Sequence, residues 1–139
     1  MDTRHGRAKP ALLVVDDEER ILSALRRVLR KEGYEIVTVE TPEAALRLLG
    51  ERPFDAVLSD HKMPGMSGMQ LLARARELQP KVVLLLITGW TEEIPRDLLT
   101  QVGVRALITK PWDDARLKAT LRRCLLPPPP LSTRPSASL

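Results

Sequence analysis

The chain has 139 residues, 43% of them hydrophobic, which allows one domain with an apolar core and argues against a disordered chain. Only four residues are aromatic, so this core must be largely aliphatic. The net charge of +4 suggests nucleic-acid binding, but the excess lies in the first ten residues and in the tail after residue 126. The remaining chain holds 18 basic and 17 acidic residues, so we expect no direct nucleic-acid binding by the folded part.

The sequence contains one cysteine, Cys124, and therefore cannot form an intramolecular disulfide bond. This suits a reducing cytosol. No apolar run approaches the roughly 20 residues needed to span a bilayer, and the N-terminus lacks the apolar stretch of a signal peptide. We expect a soluble, cytoplasmic protein with no membrane partner.

Short apolar runs alternate with longer amphipathic ones along most of the sequence. Residues 11–15 are continuously apolar, which is typical of a strand buried on both faces. Gly33 stands where a helix should end, and Thr41 before Pro42 predicts an N-cap followed by proline in the first turn. In chain order, the pattern predicts a strand at 11–15, a helix at 18–31, a strand at 34–39, a helix at 42–49, a strand at 54–59, a helix at 67–78, a strand at 82–87, a helix at 93–100, a strand at 104–108 and a helix at 113–125.

Five strand-then-helix units predict an α/β fold, a doubly wound five-stranded parallel sheet with helices on both faces. Right-handed crossovers and short loops favour the flavodoxin-like strand order 2-1-3-4-5, a three-layer sandwich. In the third helix, the spacing predicts that Met69, Leu72 and Leu78 face inward. The fourth helix should start late, because Pro95 is tolerated only in a first turn.

The composition changes abruptly after Leu126, where four prolines precede a Ser/Pro tail. Prolines at 127–130 cannot continue a helix and favour an extended polyproline II segment. This segment is interpreted either as a motif for a proline-binding module or as a solvated tail or linker. We predict a flexible N-terminal segment at 1–9, a folded domain at 10–126, and a Pro/Ser-rich tail or linker start at 127–139.

Polar residues follow four of the predicted strands. Asp16 and Asp17 come after the first strand, Asp60 after the third, Thr88 after the fourth and Lys110 after the fifth. Each alone has an ordinary explanation as a cap, a turn residue or a solvated side chain. Together they fall at the carboxyl edge of the sheet, where doubly wound folds bind ligands. Their joint placement therefore favours a functional site.

Electrostatics indicates which ligands such a site would hold. Carboxylates about 4 Å apart repel by roughly 4 kcal/mol per pair at an effective dielectric constant near 20. Three carboxylates this close together need a cation to offset their mutual repulsion. Hard oxygen ligands in a small open site suit Mg²⁺. Mg²⁺ and a lysine would also stabilise a phosphoryl group carried by a carboxylate, and a nearby hydroxyl could bind a phosphoryl oxygen.

The sequence resembles the receiver domains of two-component response regulators (CheY-like phosphoacceptor domains) from about residue 10 to residue 126. The run from residue 60 to residue 68 is the most specific part of this resemblance. The matching segments are Val14-Val15-Asp16-Asp17, Asp60-His61-Lys62-Met63-Pro64-Gly65-Met66-Ser67-Gly68, Thr88-Gly89 and Lys110-Pro111.

The resemblance implies a phosphorylation site at Asp60 and a Mg²⁺ site beside it. Asp17 and Asp60 match the direct carboxylate ligands, Asp16 matches a ligand that acts through water, and the backbone carbonyl of Lys62 completes the set. The implied partner is a histidine kinase or a phosphotransfer protein. A downstream output protein, or an output domain that would follow the tail, is the implied recipient of the signal.

The resemblance also assigns the remaining strand-end residues. Thr88 matches the switch hydroxyl and Lys110 the phosphate-binding lysine, which is followed in the family by a cis bond to Pro111. One position departs from the pattern, because Leu107 stands where the family usually carries tyrosine or phenylalanine. Aromatic swing at 107 therefore cannot transmit the signal here.

Two positions that flank the site, Lys62 and Trp90, are also unusual for this family. In the family, the side chains two residues after the phosphoacceptor and two after the threonine influence how easily water reaches the acyl phosphate.

Two other functions stay open at this point. A phosphatase or phosphotransferase of the haloacid dehalogenase type would carry a second acid two residues after its nucleophile. Asp60 is followed there by Lys62, Asp16 is followed by Glu18 on the predicted helix, and the chain is too short for a cap domain. A degenerate receiver that only binds proteins is kept open by Leu107. We predict a signalling switch and not a conventional enzyme.

Overall fold

One parallel sheet with the strand order β2-β1-β3-β4-β5 forms the centre of the molecule. A computed structural model describes residues 9–125, so the predictions for residues 1–8 and for the tail at 127–139 lie outside the described residues. The predicted fold class and strand order are confirmed. In chain order, the elements are β1 (Ala11–Val15), α1 (Glu19–Leu29), β2 (Glu35–Val39), α2 (Pro42–Glu51), β3 (Ala56–Asp60), α3 (Gly68–Leu78), β4 (Val83–Thr88), α4 (Arg96–Val102), β5 (Val104–Thr109) and α5 (Asp114–Leu125).

Apolar clusters cover both faces of the sheet. On one face, leucines of α1 and α5 pack against the strands, and on the other face α2 and α3 do so. The alternating side chains of β1 contribute to both clusters, with Leu12 and Val14 on the first face and Leu13 and Val15 on the second. The continuous apolar run of β1 therefore reflects burial on both sides.

The strand register aligns the carboxyl ends of the strands. Val15 at the end of β1 is paired with Ser59 of β3, and Asp60 is paired with Ile87 of β4. The residues that follow each strand are thereby brought to one edge of the sheet, as expected for a doubly wound fold.

The region around α4 differs from the prediction. The helix begins at Arg96 and ends at Val102, whereas the prediction was 93–100, and a short 3₁₀ turn at Thr91–Glu93 precedes it. Ile94 is extended because the residue before a proline is sterically driven out of the helical region. Gly103, with a φ of +89°, ends the helix. No residue of α4 is buried.

The prediction that Leu78 faces inward is wrong. Its side chain is 48% exposed, whereas Met69 and Leu72 are buried as predicted. The corner near the end of α3 is occupied instead by Gln79, whose side-chain amide forms hydrogen bonds with three backbone groups of the neighbouring α2–β3 segment.

In residues 9–125, no helix is long and apolar enough to cross a membrane.

Candidate functional site

Three carboxylates meet at the carboxyl edge of the sheet. One oxygen from each of Asp16, Asp17 and Asp60 lies within 4.8 Å of the other two. Asp16 is completely buried and Asp60 nearly so, whereas Asp17 is exposed to solvent. This arrangement is consistent with the prediction from the sequence that these three residues come together.

Lys110 provides the positive charge in this cluster. Its Nζ atom lies 2.9 Å from Asp16 Oδ2 and 3.2 Å from Asp60 Oδ1. The Lys110 backbone N–H donates to the Thr88 carbonyl oxygen at 3.0 Å, which ties the end of β5 to the end of β4. The peptide bond from Lys110 to Pro111 is cis, as the resemblance implied.

The pKa values in the cluster reflect burial and crowding of like charges. Burial raises the pKa of Asp60, and the charge of Asp16 raises it further, against the opposing effects of Lys110 and the His61 N–H. Burial alone would lower the pKa of Lys110, but its hydrogen bonds and charge interactions with Asp16 and Asp60 outweigh burial and raise it. Three carboxylates around one ammonium leave an excess of negative charge, which suits a divalent cation.

Backbone amides orient the two buried carboxylates. The Glu18 N–H donates to Asp16 Oδ1 at 2.9 Å, and the His61 N–H donates to Asp60 Oδ1 at 2.9 Å. Lys110 contacts the same Oδ1 atom of Asp60, so the lysine and the His61 N–H both hold one oxygen of this carboxylate. These amide contacts leave no signal in the sequence, because nearly any residue type can supply a backbone N–H.

Thr88 lies buried on the strand next to Asp60. Its hydroxyl oxygen accepts a hydrogen bond of 3.1 Å from the Trp90 backbone N–H. The hydroxyl is therefore engaged with the loop after β4 in this structure.

The loop after β3 requires a glycine where α3 begins. A Cβ atom at Gly68 would collide with the carbonyl oxygen of Asp60 and approach His61 Cα. The Gly68 N–H donates to the His61 carbonyl oxygen at 2.8 Å. Residue 68 thus holds the start of α3 directly against the end of β3 and fixes the loop beside Asp60.

The Lys62 side chain points to a neighbouring loop. Its Nζ atom lies 4.2 Å from the centroid of the Trp90 ring and 3.0 Å from Glu93 Oε1. Sequence reasoning singled out Lys62 and Trp90 but missed Glu93. Leu107 is partly buried and packs against the apolar cluster on the α2 and α3 face of the sheet.

The family model for the response regulator receiver domain matches residues 12–122 of this chain. The hydrogenase transcriptional regulatory protein HoxA of Cupriavidus necator is 37% identical over 117 residues, which cover 82% of this chain and 24% of HoxA. The transcriptional regulatory protein GlrR of Escherichia coli is 40% identical over 106 residues, covering 76% of this chain and 24% of GlrR. The chain thus spans about a quarter of the length of these two relatives.

Solved structures show the same likeness. The chemotaxis protein CheY4 of Vibrio cholerae aligns with a TM-score of 0.77 and 29% identity, over 85% of this chain and 100% of CheY4. The signal receiver domain of an HD domain-containing protein from Pseudomonas fluorescens aligns with a TM-score of 0.76 and 32% identity, over 86% of this chain and 88% of that one. The chain belongs to the response-regulator receiver family, the phosphoacceptor domains of two-component signalling.

Proposed function

We propose that this receiver acts as a phosphorylatable switch with Asp60 as the phosphoacceptor. The observation that carries the proposal is the placement of Asp60 in the acidic cluster, with its Oδ1 held by both Lys110 and the His61 N–H. A carboxylate held in this way presents one oxygen for attack. The phosphodonor is a histidine kinase or a phosphotransfer protein.

The transfer step follows from this geometry. Oδ2 of Asp60 attacks the phosphorus of a phosphohistidine, the P–N bond breaks, and its electron pair stays on the imidazole nitrogen of the donor. The ammonium of Lys110 lies beside the same carboxylate and offsets negative charge on the transferring group. Water later attacks the acyl phosphate and restores the carboxylate and inorganic phosphate.

The acidic cluster fits Mg²⁺. Ligand oxygens around Mg²⁺ lie about 2.0–2.1 Å from the ion, so carboxylate oxygens within 4.8 Å of each other need only small movements to share one. Asp17 and Asp60 would bind directly, Asp16 through water, and the Lys62 backbone carbonyl would complete the protein ligands. The bound ion would neutralise charge on the phosphoryl oxygens.

Thr88 is the switch residue in this proposal. Its hydroxyl oxygen now accepts a hydrogen bond from the Trp90 N–H, and rotation of the side chain would move this oxygen away from Trp90 while the hydroxyl donates to a phosphoryl oxygen on Asp60. This exchange of partners would link the chemical state of Asp60 to the loop after β4. A downstream protein, or an output domain in a longer protein, would sense the change, as is consistent with the chain matching about a quarter of two transcriptional regulators.

Incubation with acetyl phosphate and Mg²⁺ tests the proposal. Intact-mass measurement should show one added phosphoryl group on the wild type and none on Asp60→Asn. Asp97→Asn, which removes an exposed carboxylate on α4, is the matched control and should be labelled like the wild type. Labelling of Asp60→Asn at the wild-type level would refute the assignment. An unlabelled wild type would favour a receiver that only binds proteins, the alternative suggested by Leu107.

A further inference from the structure

A small cluster of exposed side chains connects the loops that follow β3 and β4. Lys62 lies with its ammonium 4.2 Å from the centre of the Trp90 ring and 3.0 Å from Glu93 Oε1. We call Lys62, Trp90 and Glu93 the loop clasp. About half of each side chain is exposed, so the contacts are individually weak.

The loop clasp is attached to the switch hydroxyl through the backbone. The Trp90 N–H donates to Thr88 Oγ1 at 3.1 Å, and the Glu93 N–H donates to the Trp90 carbonyl oxygen at 3.1 Å. Trp90 and Glu93 therefore belong to one hydrogen-bonded turn whose position depends on Thr88. If the Thr88 side chain rotates so that Oγ1 moves away from the loop, the Trp90 N–H loses its acceptor and the turn loses its anchor.

We propose that the loop clasp stabilises the unphosphorylated conformation and thereby sets how readily the receiver switches. This inference rests on the proposed roles of Asp60 and Thr88. Phosphorylation draws Thr88 away from Trp90, and the ring then leaves the ammonium of Lys62. The adjoining helix α4 has no fully buried residue and packs against the apolar core through the partly buried Leu99 and Val102, which limits the packing that a shift of the loop and helix must break.

Linkage gives the direction of the effect. A contact made only in the unphosphorylated state lowers the affinity for every ligand that favours the other state. The affinity falls by the factor by which the contact shifts the equilibrium between the two states. An exposed cation–π pair corresponds to a bias of about two- to fivefold. Removing the loop clasp should therefore tighten the binding of a phosphoryl mimic by about this factor.

Beryllofluoride, which mimics the phosphoryl group, provides the test. The full chain is titrated with beryllofluoride in excess Mg²⁺, and the bound fraction is measured by ¹⁹F NMR. Lys62→Met and Trp90→Leu should each bind about two- to fivefold more tightly than the wild type. The double variant should bind no more tightly than Lys62→Met alone, because Lys62 makes both contacts of the loop clasp. Lys62→Arg keeps a cation over the ring and should bind more weakly than Lys62→Met.

Charge alone predicts the opposite result for Lys62. Loss of a positive charge near an anion site weakens anion binding, so tighter binding by Lys62→Met separates the loop clasp from simple attraction. Glu93→Gln and Glu92→Gln remove the same charge from neighbouring positions, but only Glu93 pairs with Lys62. Binding should be tighter in Glu93→Gln than in Glu92→Gln.

The outcomes separate this inference from the proposed function. A wild type that binds no beryllofluoride would overturn the proposed function and this inference with it. A wild type that binds, together with Lys62→Met and Trp90→Leu variants of unchanged or weaker affinity, would overturn the loop clasp alone. Gains that add up in the double variant would also overturn it, because the two side chains would then act separately.

Discussion

The ammonium of Lys110 lies 3.2 Å from Oδ1 of Asp60, and the same nitrogen lies 2.9 Å from Asp16. One lysine thus holds together two carboxylates that are almost completely buried. Without it, both would be left with uncompensated negative charge in a site of low polarity. The ion pairs explain why three acids can be adjacent before any cation binds.

The first prediction concerns this lysine. Lys110→Met should lower the free energy of unfolding by about 2 kcal/mol at neutral pH without Mg²⁺, because hydrogen bonds to charged groups contribute about that much. Added Mg²⁺ should recover part of the loss. Urea titration with and without Mg²⁺ measures both effects, and Lys81→Met, at an exposed position, is the control. A variant as stable as the wild type in both conditions would contradict the structural role given to Lys110.

The second prediction separates the two acids that follow β1. Asp17→Asn should weaken Mg²⁺ binding more than Asp16→Asn, because Asp17 is proposed as a direct ligand and Asp16 as a ligand through water. Without metal, Asp17→Asn should be slightly more stable than the wild type, since it removes an exposed charge from a crowded acidic cluster. Asp16→Asn should be less stable, because it breaks the buried pair with Lys110. Titration by tryptophan fluorescence and thermal unfolding test these points; equal loss of Mg²⁺ affinity would disprove the division of roles.

The strand ends show how far the sequence predicts this site. Once five parallel strands in the order 2-1-3-4-5 are inferred, the residues that follow the strands must share one edge of the sheet. Hydrophobic periodicity and the order of the elements are therefore sufficient to predict which residues meet in the site. The contact of Lys62 with Trp90 and Glu93 is different. It depends on the path of two loops and on the 3₁₀ turn at Thr91–Glu93, where the predicted helix began too early, and loop paths leave no periodic signal in a sequence.

Burial at the end of a helix is also hard to predict from sequence. Leu78 has the spacing of an inward residue, but α3 ends there and the adjacent corner is filled by Gln79. Helical periodicity predicts burial only where a neighbouring element covers that face of the helix. In the last turn of a helix this cover can end, and the prediction then fails.

The third prediction concerns Gln79. Its side-chain N–H groups donate to the Leu49 and Arg52 carbonyl oxygens, and its Oε1 accepts from the Phe54 N–H, at 2.8–2.9 Å. Gln79→Ala should lower the free energy of unfolding by about 2–3 kcal/mol, since three part-buried hydrogen bonds are lost. Gln101→Ala removes an exposed glutamine from α4 and should change stability by less than about 0.5 kcal/mol. Chemical denaturation measures both variants, and a similar effect in the two would show that the Gln79 bonds contribute nothing net.

The last prediction uses Tyr34, the single tyrosine of the chain. Its side chain is buried beneath α1 and α5, and its hydroxyl has no hydrogen-bond partner within residues 9–125. Burial, followed by the charge of Glu32, raises the pKa of Tyr34 from 10.0 to about 12, against a lowering effect of Arg122. The unfolded chain therefore releases the phenolic proton at a lower pH than the folded protein does.

This difference sets the sign of the pH effect. The contribution of Tyr34 to stability is fully present below the unfolded pKa of 10.0 and is lost as the pH rises toward about 12. The free energy of unfolding should fall more steeply between these pH values in the wild type than in Tyr34→Phe. Groups that do not interact with residue 34 titrate equally in both proteins, so the difference between the two curves reports the phenol and its charge interactions with Glu32, Arg122 and Cys124. Near pH 7, Tyr34→Phe should be at least as stable as the wild type, because it removes a buried hydroxyl without a partner. Denaturant titrations across this range, with tyrosinate absorbance reporting ionisation directly, provide the test, and parallel curves for the two proteins would show that Tyr34 ionises as freely in the folded chain as in the unfolded one.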